Sequence, residues 1–499
     1  MSVDKMGRLS SPPDGLLFEL LYEPHLAEDR QEVLPYLLRI DAAHILMLAR
    51  QGILPGDAAA RLLEVHQELS AELRAGREVL PAPPSHRGLF WLYEQQYIQR
   101  LGGTVGGAAH AARSRNDINA AVARLRMRRE LLQLLEDCAD LAAAAVAQAE
   151  AHAETLMSAF THLQPAQPST LGHYLSGVTA EILRTAEWLA ATFETLNRSP
   201  MGAAAGVGTS FPIDRDQVAR WLGFSGVIES SLDAVASRDY VVQVLSGAAL
   251  LGTTLTRLAQ DLQTWASFAF GFLDWPDALV STSSIMPQKR NAYVLENVRG
   301  QAVRASGALV NVLAGLKNTS FSNSVEVSGE ATAPAWPALR ASRKAVRLTT
   351  LLVERLETRP ERMRAFLDGA QTTMTALADL LVRRGGLAFR TAHDAVGALL
   401  KELPPDAPPT VAQIRNGLAG VLALDENEIE VALDPRHCML QARYGGGPAP
   451  DSVRGQLQQL ASRDHSLRDR IAAWRRSLDE ADQSLDGAIA TFLNEREPR

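Results

Sequence analysis

Cysteine, aromatic residues, lysine and net charge are all scarce in this 499-residue chain, and each scarcity excludes something. Only Cys138 and Cys438 occur, far apart and outside any C-x-x-C spacing, so neither a disulfide framework nor a cysteine zinc site is expected. That usage fits a reducing, cytoplasmic setting. Aromatics make up 6% against 46% hydrophobic and 21% charged residues, the composition of a globular protein whose core is Ala and Leu. A formal charge of -7 argues against a surface that neutralises phosphates with clustered Lys and Arg, so nucleic acid is not an expected partner. Long hydrophobic runs are missing too. Tyr240 to Thr256 is broken by Gln243 and Ser246 and falls short of the ~20 apolar residues that span a bilayer, and Glu19 interrupts the apolar stretch near the N-terminus. Neither a membrane span nor export is expected. G-x-x-x-x-G-K-[ST], H-E-x-x-H and G-x-S-x-G are absent, which removes the commonest NTPase, zinc-protease and α/β-hydrolase readings.

What the chain does have is helical periodicity. Beyond residue 105 apolar positions recur at three and four residue steps, with almost no strand-like alternation, which predicts an all-α fold. Long helices are expected over Asn116 to Met157, Thr170 to Asn197, Leu232 to Phe272 and Tyr293 to Leu313, forming a bundle. Proline-rich breaks at Leu80 to Gly88 and Glu402 to Pro409, and a glycine turn at Tyr444 to Pro450, suggest an N-terminal helical domain over 1–115, a central bundle over 116–365, a C-terminal helical domain over 366–450 and a tail over 451–499. In that tail Val453, Leu457, Leu460, Leu467, Ile471, Trp474, Leu478 and Leu485 form a stripe. It fits a coiled-coil seam for a partner helix or one amphipathic helix lying on its own subunit.

Three polar segments stand out against this apolar background. Arg113, Ser114, Arg115 and Asn116 crowd hydrogen-bond donors at the start of a predicted helix, a usual place to bind a carboxylate. Thr161, His162 and Gln164 sit in a proline-punctuated turn between two long helices. Ser281 to Asn291 (STSSIMPQKRN) carries a Ser/Thr run before Pro287, which reads as the first position of a helix. Hydroxyls at such a place are ordinarily caps, but Lys289 would then oppose the helix dipole by ~0.3–1 kcal/mol. Only five lysines occur (5, 289, 317, 344 and 401), so a lysine there suggests function.

Together, and in this order, the segments resemble the argininosuccinate lyase branch of the fumarase/aspartase superfamily, with its H-T-G-R-S-R-N-D, T-H-x-Q-x-A-Q-P and G-S-S-x-M-P-Q-K-x-N runs. The likeness continues through Met201 to Arg215, Ser230 to Tyr240, Asp379 to Gly397 and Leu433 to Pro450, and covers about Met6 to Leu460, leaving the tail outside. The resemblance implies a three-domain fold with a central bundle of long helices, and a homotetramer in which three subunits build each site. It implies no metal and no organic cofactor. By the same resemblance Ser283 takes the Cβ proton of an N-substituted succinate, with Ser284 its neighbour and Lys289 stabilising the anion. Asn291 stabilises the aci-carboxylate, Thr161, Gln164, Arg113, Ser114, Arg115 and Asn116 hold the carboxylates, and His162 supports protonation of the leaving nitrogen.

The resemblance fails on the amine half. The family's E-D-x-H stretch is Gly88, Leu89, Phe90, Trp91 here, and its Tyr/Gln/Lys-bearing clamp corresponds to Asn318 to Ala331, which has none of the three. Asn-Pro-Asp becomes Asn291, Ala292, Tyr293, and a Gly-Ser pair becomes Ile40 and Asp41. Specificity built on hydrogen bonds changes by ~10⁴-fold when they vanish. The expected activity is therefore reversible elimination of fumarate from an N-substituted L-aspartate with an altered amine. Trp91, Tyr293 and Phe321 are expected as new walls and Asp41 as the partner of a cation. Ordinary argininosuccinate lyase activity, a non-catalytic crystallin-like role, and elimination of a non-amine group are the alternatives.

Overall fold

The computed structural model describes residues 11–81, 86–404 and 407–495, so parts of both proline-rich breaks lie outside the described residues. The expected all-α architecture is present. A bundle is built by Arg115–Ala151, Leu171–Leu196, Asp239–Ala266, Tyr293–Ala302, Arg304–Leu316 and Ala335–Glu354. Its core is leucine and alanine from these helices, among them Leu135, Ala142, Leu183, Leu245, Val298 and Leu339. By length and apolarity Asp239–Ala266 passes for a membrane span, yet its Tyr240, Val244, Leu251 and Leu258 are buried in the bundle. The hydropathy of this helix serves the core.

Small residues let these helices approach. A Cβ added at Gly252 would lie 2.4 Å from the carbonyl oxygen of Ala302 on the neighbouring helix, a contact that backbone must relieve. Gly252→Ala should therefore lower stability by about 1–3 kcal/mol, the usual cost of overpacking, despite alanine's better helix propensity. Chemical unfolding tests this; an unchanged or raised midpoint would contradict it.

Several expected boundaries shift. The first long helix ends at Ala151, and the segment read as a turn is an antiparallel ribbon of Leu156–Thr161 with Gln164–Thr170. Two shorter ribbons pair Leu273–Asp274 with Glu357–Thr358 and Ser281–Thr282 with Arg290–Asn291. The expected Leu232 to Phe272 helix is split into Ser231–Ala236 and Asp239–Ala266, and the Tyr293 to Leu313 helix is interrupted at Val303.

An N-terminal cluster is centred on Ile45, Leu46, Tyr93 and Tyr97, and a C-terminal one on Leu377, Leu381, Ile414 and Ile429. The tail is a single 45-residue helix, Pro450–Asn494, lying on its own chain. Its Val453, Leu457 and Ile471 join the bundle core, Trp474 stacks on Phe193 at 4.1 Å between centroids, and Leu485 enters the N-terminal cluster. Forked pairs of Arg463 with Glu187 (2.8 Å) and Arg475 with Glu136 (2.8 and 3.0 Å) pin the charged flank. The stripe is spent on the chain's own core, which decides between the two readings of it.

Two of the buried histidines, His44 and His66, make this body acid-sensitive. Burial drives His44, whose ring nitrogen lies 2.8 Å from the Ala111 carbonyl oxygen, down to about 3 and His66 down to about 4. Below the ordinary histidine value of 6.5 the unfolded chain binds protons that the folded chain refuses, so stability is full above that value and falls as pH drops towards 4. Denaturant midpoints across this range should decline, and His66→Gln should flatten the decline if the variant folds. A midpoint insensitive to pH would contradict the burial argument.

Candidate functional site

The first polar segment is sorted by burial. Ser114 caps Arg115–Ala151, its Oγ accepting from the Asn116 N–H at 3.3 Å, while Asp117 Oδ1 accepts from the Ser114 N–H at 2.9 Å. Asp117, fully buried, also accepts from the N–H groups of Gly202 (3.1 Å) and Ala204 (3.0 Å), tying the glycine-rich loop to the same helix start. Burial raises this carboxyl above its ordinary value, and those N–H groups oppose the shift.

Arg113 and Asp41 require a correction. Both are buried and their side chains form an ion pair with each other, so Arg113 is not a free carboxylate donor and Asp41 does not await a substrate cation. The signal was a run of four donors, and only the fold tells the buried one from its neighbours. Trp91 likewise packs in the N-terminal core at 5% exposure and cannot wall a substrate pocket. Arg115 is exposed and makes no side-chain bond among the described residues.

Two residues not anticipated complete this corner. Asn323 donates through Nδ2 to Asn116 Oδ1 at 2.8 Å and accepts from the buried Arg238 at 3.3 Å. With its oxygen tied, Asn116 is left with its Nδ2–H₂ group to offer a carboxylate. Asn323 lies in the segment read for the clamp residues it lacks and for Phe321 as a wall, so no positive signal marked it.

The second segment is the tip of the long ribbon. Thr161 pairs with Gln164 across a two-residue loop of His162 and Leu163, whose φ values are 54° and 61°. Such a loop normally takes Asn-Gly, and left-handed backbone at two non-glycine residues costs of order 1–3 kcal/mol each. The rung next to the tip holds this strain: Phe160, paired with Pro165, packs against Trp265, Phe270 and Phe366 at 5.8–6.1 Å. Thr161, His162 and Gln164 are all exposed.

The third segment corrects an expectation. Pro287 does not open a helix and Lys289 faces no helix dipole, because Ser283 to Lys289 is the loop of the Ser281–Thr282/Arg290–Asn291 ribbon and the helix starts at Tyr293. Ser283 Oγ instead accepts from the N–H groups of Ile285 (3.3 Å) and Met286 (3.1 Å). Two backbone donors on a hydroxyl oxygen favour its anion. Arg290 anchors the loop by bonding Asp274 (3.3 Å), Asp277 and the Trp275 carbonyl. Lys289 and Ser284 are exposed, Asn291 half-buried, and Ile285 is 83% exposed at the tip. Tyr293 and Phe321 are exposed at 41% and 65%.

No hydrogen bond or ion pair among the described residues joins any two of these three segments. Apart from the buried Arg113, each segment leaves polar groups exposed or half-buried on one chain.

A family model described as Lyase matches residues 58–307, and one described as Argininosuccinate lyase C-terminal matches 371–439. Argininosuccinate lyase 1 of Shouchella clausii is 35% identical over 96% of this chain and 97% of its own length, and the argininosuccinate lyase of Methanosarcina acetivorans is 35% identical with the same coverage. The solved structure of an EDDS lyase variant with bound fumarate superposes with a TM-score of 0.85 at 28% identity over 99% of each chain. That coverage includes the tail, which is thus no addition to the shared fold. Class II fumarase of Schistosoma mansoni (TM-score 0.68, 15% identity) shares the fold. The molecule is a carbon–nitrogen lyase with the all-α architecture of the fumarase/aspartase superfamily. Within that superfamily the chain belongs to the argininosuccinate lyase family.

Proposed function

We propose that the protein reversibly eliminates fumarate from an N-substituted L-aspartate, with an amine other than arginine as the leaving group, in the cytoplasm. The observation that carries this reading is that the three polar segments keep acid–base and carboxylate-binding groups outward while the segment opposite the family's amine clamp carries Asn323 and Phe321 instead of Tyr, Gln and Lys.

In this reading Ser283 Oγ, its anion favoured by the two loop N–H groups and by the Lys289 ammonium, removes the Cβ proton. The electron pair passes into the adjacent carboxyl as an aci-carboxylate held by Lys289 and Asn291, each good donor contributing ~2.7–4 kcal/mol in the transition state. The pair then returns to form the double bond, the C–N bond breaks, and His162 supports delivery of a proton to the departing nitrogen. Asn116, Ser114, Arg115, Thr161, Gln164 and Ser284 hold the two carboxylates.

The three segments converge, on this reading, only between copies in a homotetramer. The long helices support self-association: Trp188, Leu250, Val303, Val310 and Leu313 are exposed at 42–67%. Exposed apolar side chains along the bundle suit an interface between copies. Loss of fumarate absorbance with fumarate plus an amine panel, and its appearance with argininosuccinate, tests the activity in wild type and Ser283→Ala. Turnover of argininosuccinate alone, lost in the variant, would replace this proposal with ordinary argininosuccinate lyase activity, the reading favoured by the relatives' names.

A further inference from the structure

A relay of side chains runs from a buried arginine to the carboxylate-binding segment. Arg238, which precedes Asp239–Ala266, is 3% exposed, and its Nη1 donates to the carbonyl oxygens of Val235 (3.1 Å) and Ser237 (2.6 Å). Those bonds hold the guanidinium still, and its Nη2 donates to Asn323 Oδ1 at 3.3 Å. Asn323 in turn donates through Nδ2 to Asn116 Oδ1 at 2.8 Å, across 207 residues of sequence.

An asparagine amide has no preferred sense of its own, because its oxygen and nitrogen are nearly the same size and exchange places by a half-turn of the side chain. A guanidinium carries donors and no acceptor, so the atom of Asn323 that faces Arg238 has to be the oxygen. The NH₂ group of Asn323 then points the other way, and Asn116 meets it with an oxygen of its own. What Asn116 has left to offer is its Nδ2–H₂ group. The opposite turn of Asn116 would set two NH₂ groups against each other and present a carbonyl oxygen to an approaching anion, which is unfavourable at both ends. Asn116 is also in the first turn of Arg115–Ala151, where the helix dipole favours negative charge.

We propose that Arg238 and Asn323 are positioning residues that act through Asn116, holding its NH₂ group toward a carboxylate of the substrate. The inference rests on the proposed binding of the fumarate half at the donor segment and adds the residues that orient it.

The test is fumarate affinity by calorimetry, with no amine present, for the full-length wild type, Asn323→Asp, Asn323→Ala, Asn116→Ala and the double variant Asn116→Ala with Asn323→Asp. Aspartate has the shape of asparagine without its N–H groups, so it keeps the bond from Arg238 and obliges Asn116 to turn its NH₂ group away from the ligand. Asn323→Asp should therefore weaken fumarate binding on the order of 10- to 100-fold, the worth of a hydrogen bond to a charged group, while its melting temperature holds or rises. Asn323→Ala leaves Asn116 free to turn either way and should cost about 2-fold in affinity, since about half the molecules present the donor. It should nevertheless melt lower, because Arg238 loses a partner. A purely structural role would rank the two variants alike in affinity and in stability, whereas the relay ranks them in opposite orders. In the Asn116→Ala background, Asn323→Asp should change affinity by no more than about 2-fold, because the residue it acts through is gone.

Wild-type affinity in Asn323→Asp, or weaker binding by Asn323→Ala than by Asn323→Asp, would overturn the proposal while leaving the lyase reading intact. So would a full loss from Asn323→Asp in the Asn116→Ala background, which would mean that the added carboxylate repels fumarate directly. No binding of fumarate by the wild type would remove both.

Discussion

Replacing Asp41 by alanine is expected to destabilise the protein by about 3–5 kcal/mol, because it leaves the Arg113 guanidinium buried without its counter-charge. The side chains of Arg113 and Asp41 are 4% and 2% exposed, and Arg113 Nε has no partner among the described residues, so the guanidinium depends on this carboxylate. The pair also sits beside the Tyr93–Tyr97 hydroxyl contact of 2.8 Å, within the core from which the donor segment emerges. Activity should fall with stability, since Ser114 follows Arg113 directly. Removing both charges, as in Asp41→Leu with Arg113→Met, should recover most of the loss, because apolar groups of similar volume replace a buried pair at little cost. Chemical unfolding of the two variants and wild type measures both effects. A single substitution costing under about 1 kcal/mol would mean that the pair is hydrated, and this account of Arg113 would be wrong.

Ser283→Ala should reduce kcat by on the order of 10²–10⁴-fold, the range for removing a general base, while leaving the melting temperature within a degree or two of wild type. The asymmetry follows from the placement of Ser283. Its Oγ bonds only two N–H groups of its own loop, so the fold loses little, whereas the proposed chemistry loses the only atom assigned to the Cβ proton. Steady-state fumarate kinetics and a thermal melt separate the two. A variant retaining a tenth or more of wild-type kcat would transfer the base role elsewhere, with Ser284 the next residue to replace.

Much of the bundle was legible because Ala/Leu periodicity is a physical statement about which face is buried. The Arg115–Ala151 and Leu171–Leu196 helices agree with expectation to within a few residues, except where Leu156–Thr161 turned to strand. That ribbon was hidden because Gln164–Thr170 carries two prolines and no hydrophobic alternation, and what holds it is Phe160 against an aromatic cluster assembled from distant segments. The three polar segments were legible as motifs, but their geometry was not. A Ser-Pro run reads equally as a helix start or a loop, and four adjacent donors give no sign that Arg113 turns inward to Asp41.

The central claim is that groups separated on one chain meet between copies of it. Mixing Ser283→Ala with His162→Asn, each expected to be strongly impaired alone, then dissociating and reassociating the subunits, tests this directly. If His162 and Ser283 of one site come from different chains, random mixing should restore about a quarter of wild-type fumarate turnover, the fraction of sites in which both are intact. No recovery after verified exchange of subunits would place both residues in one chain and contradict the account.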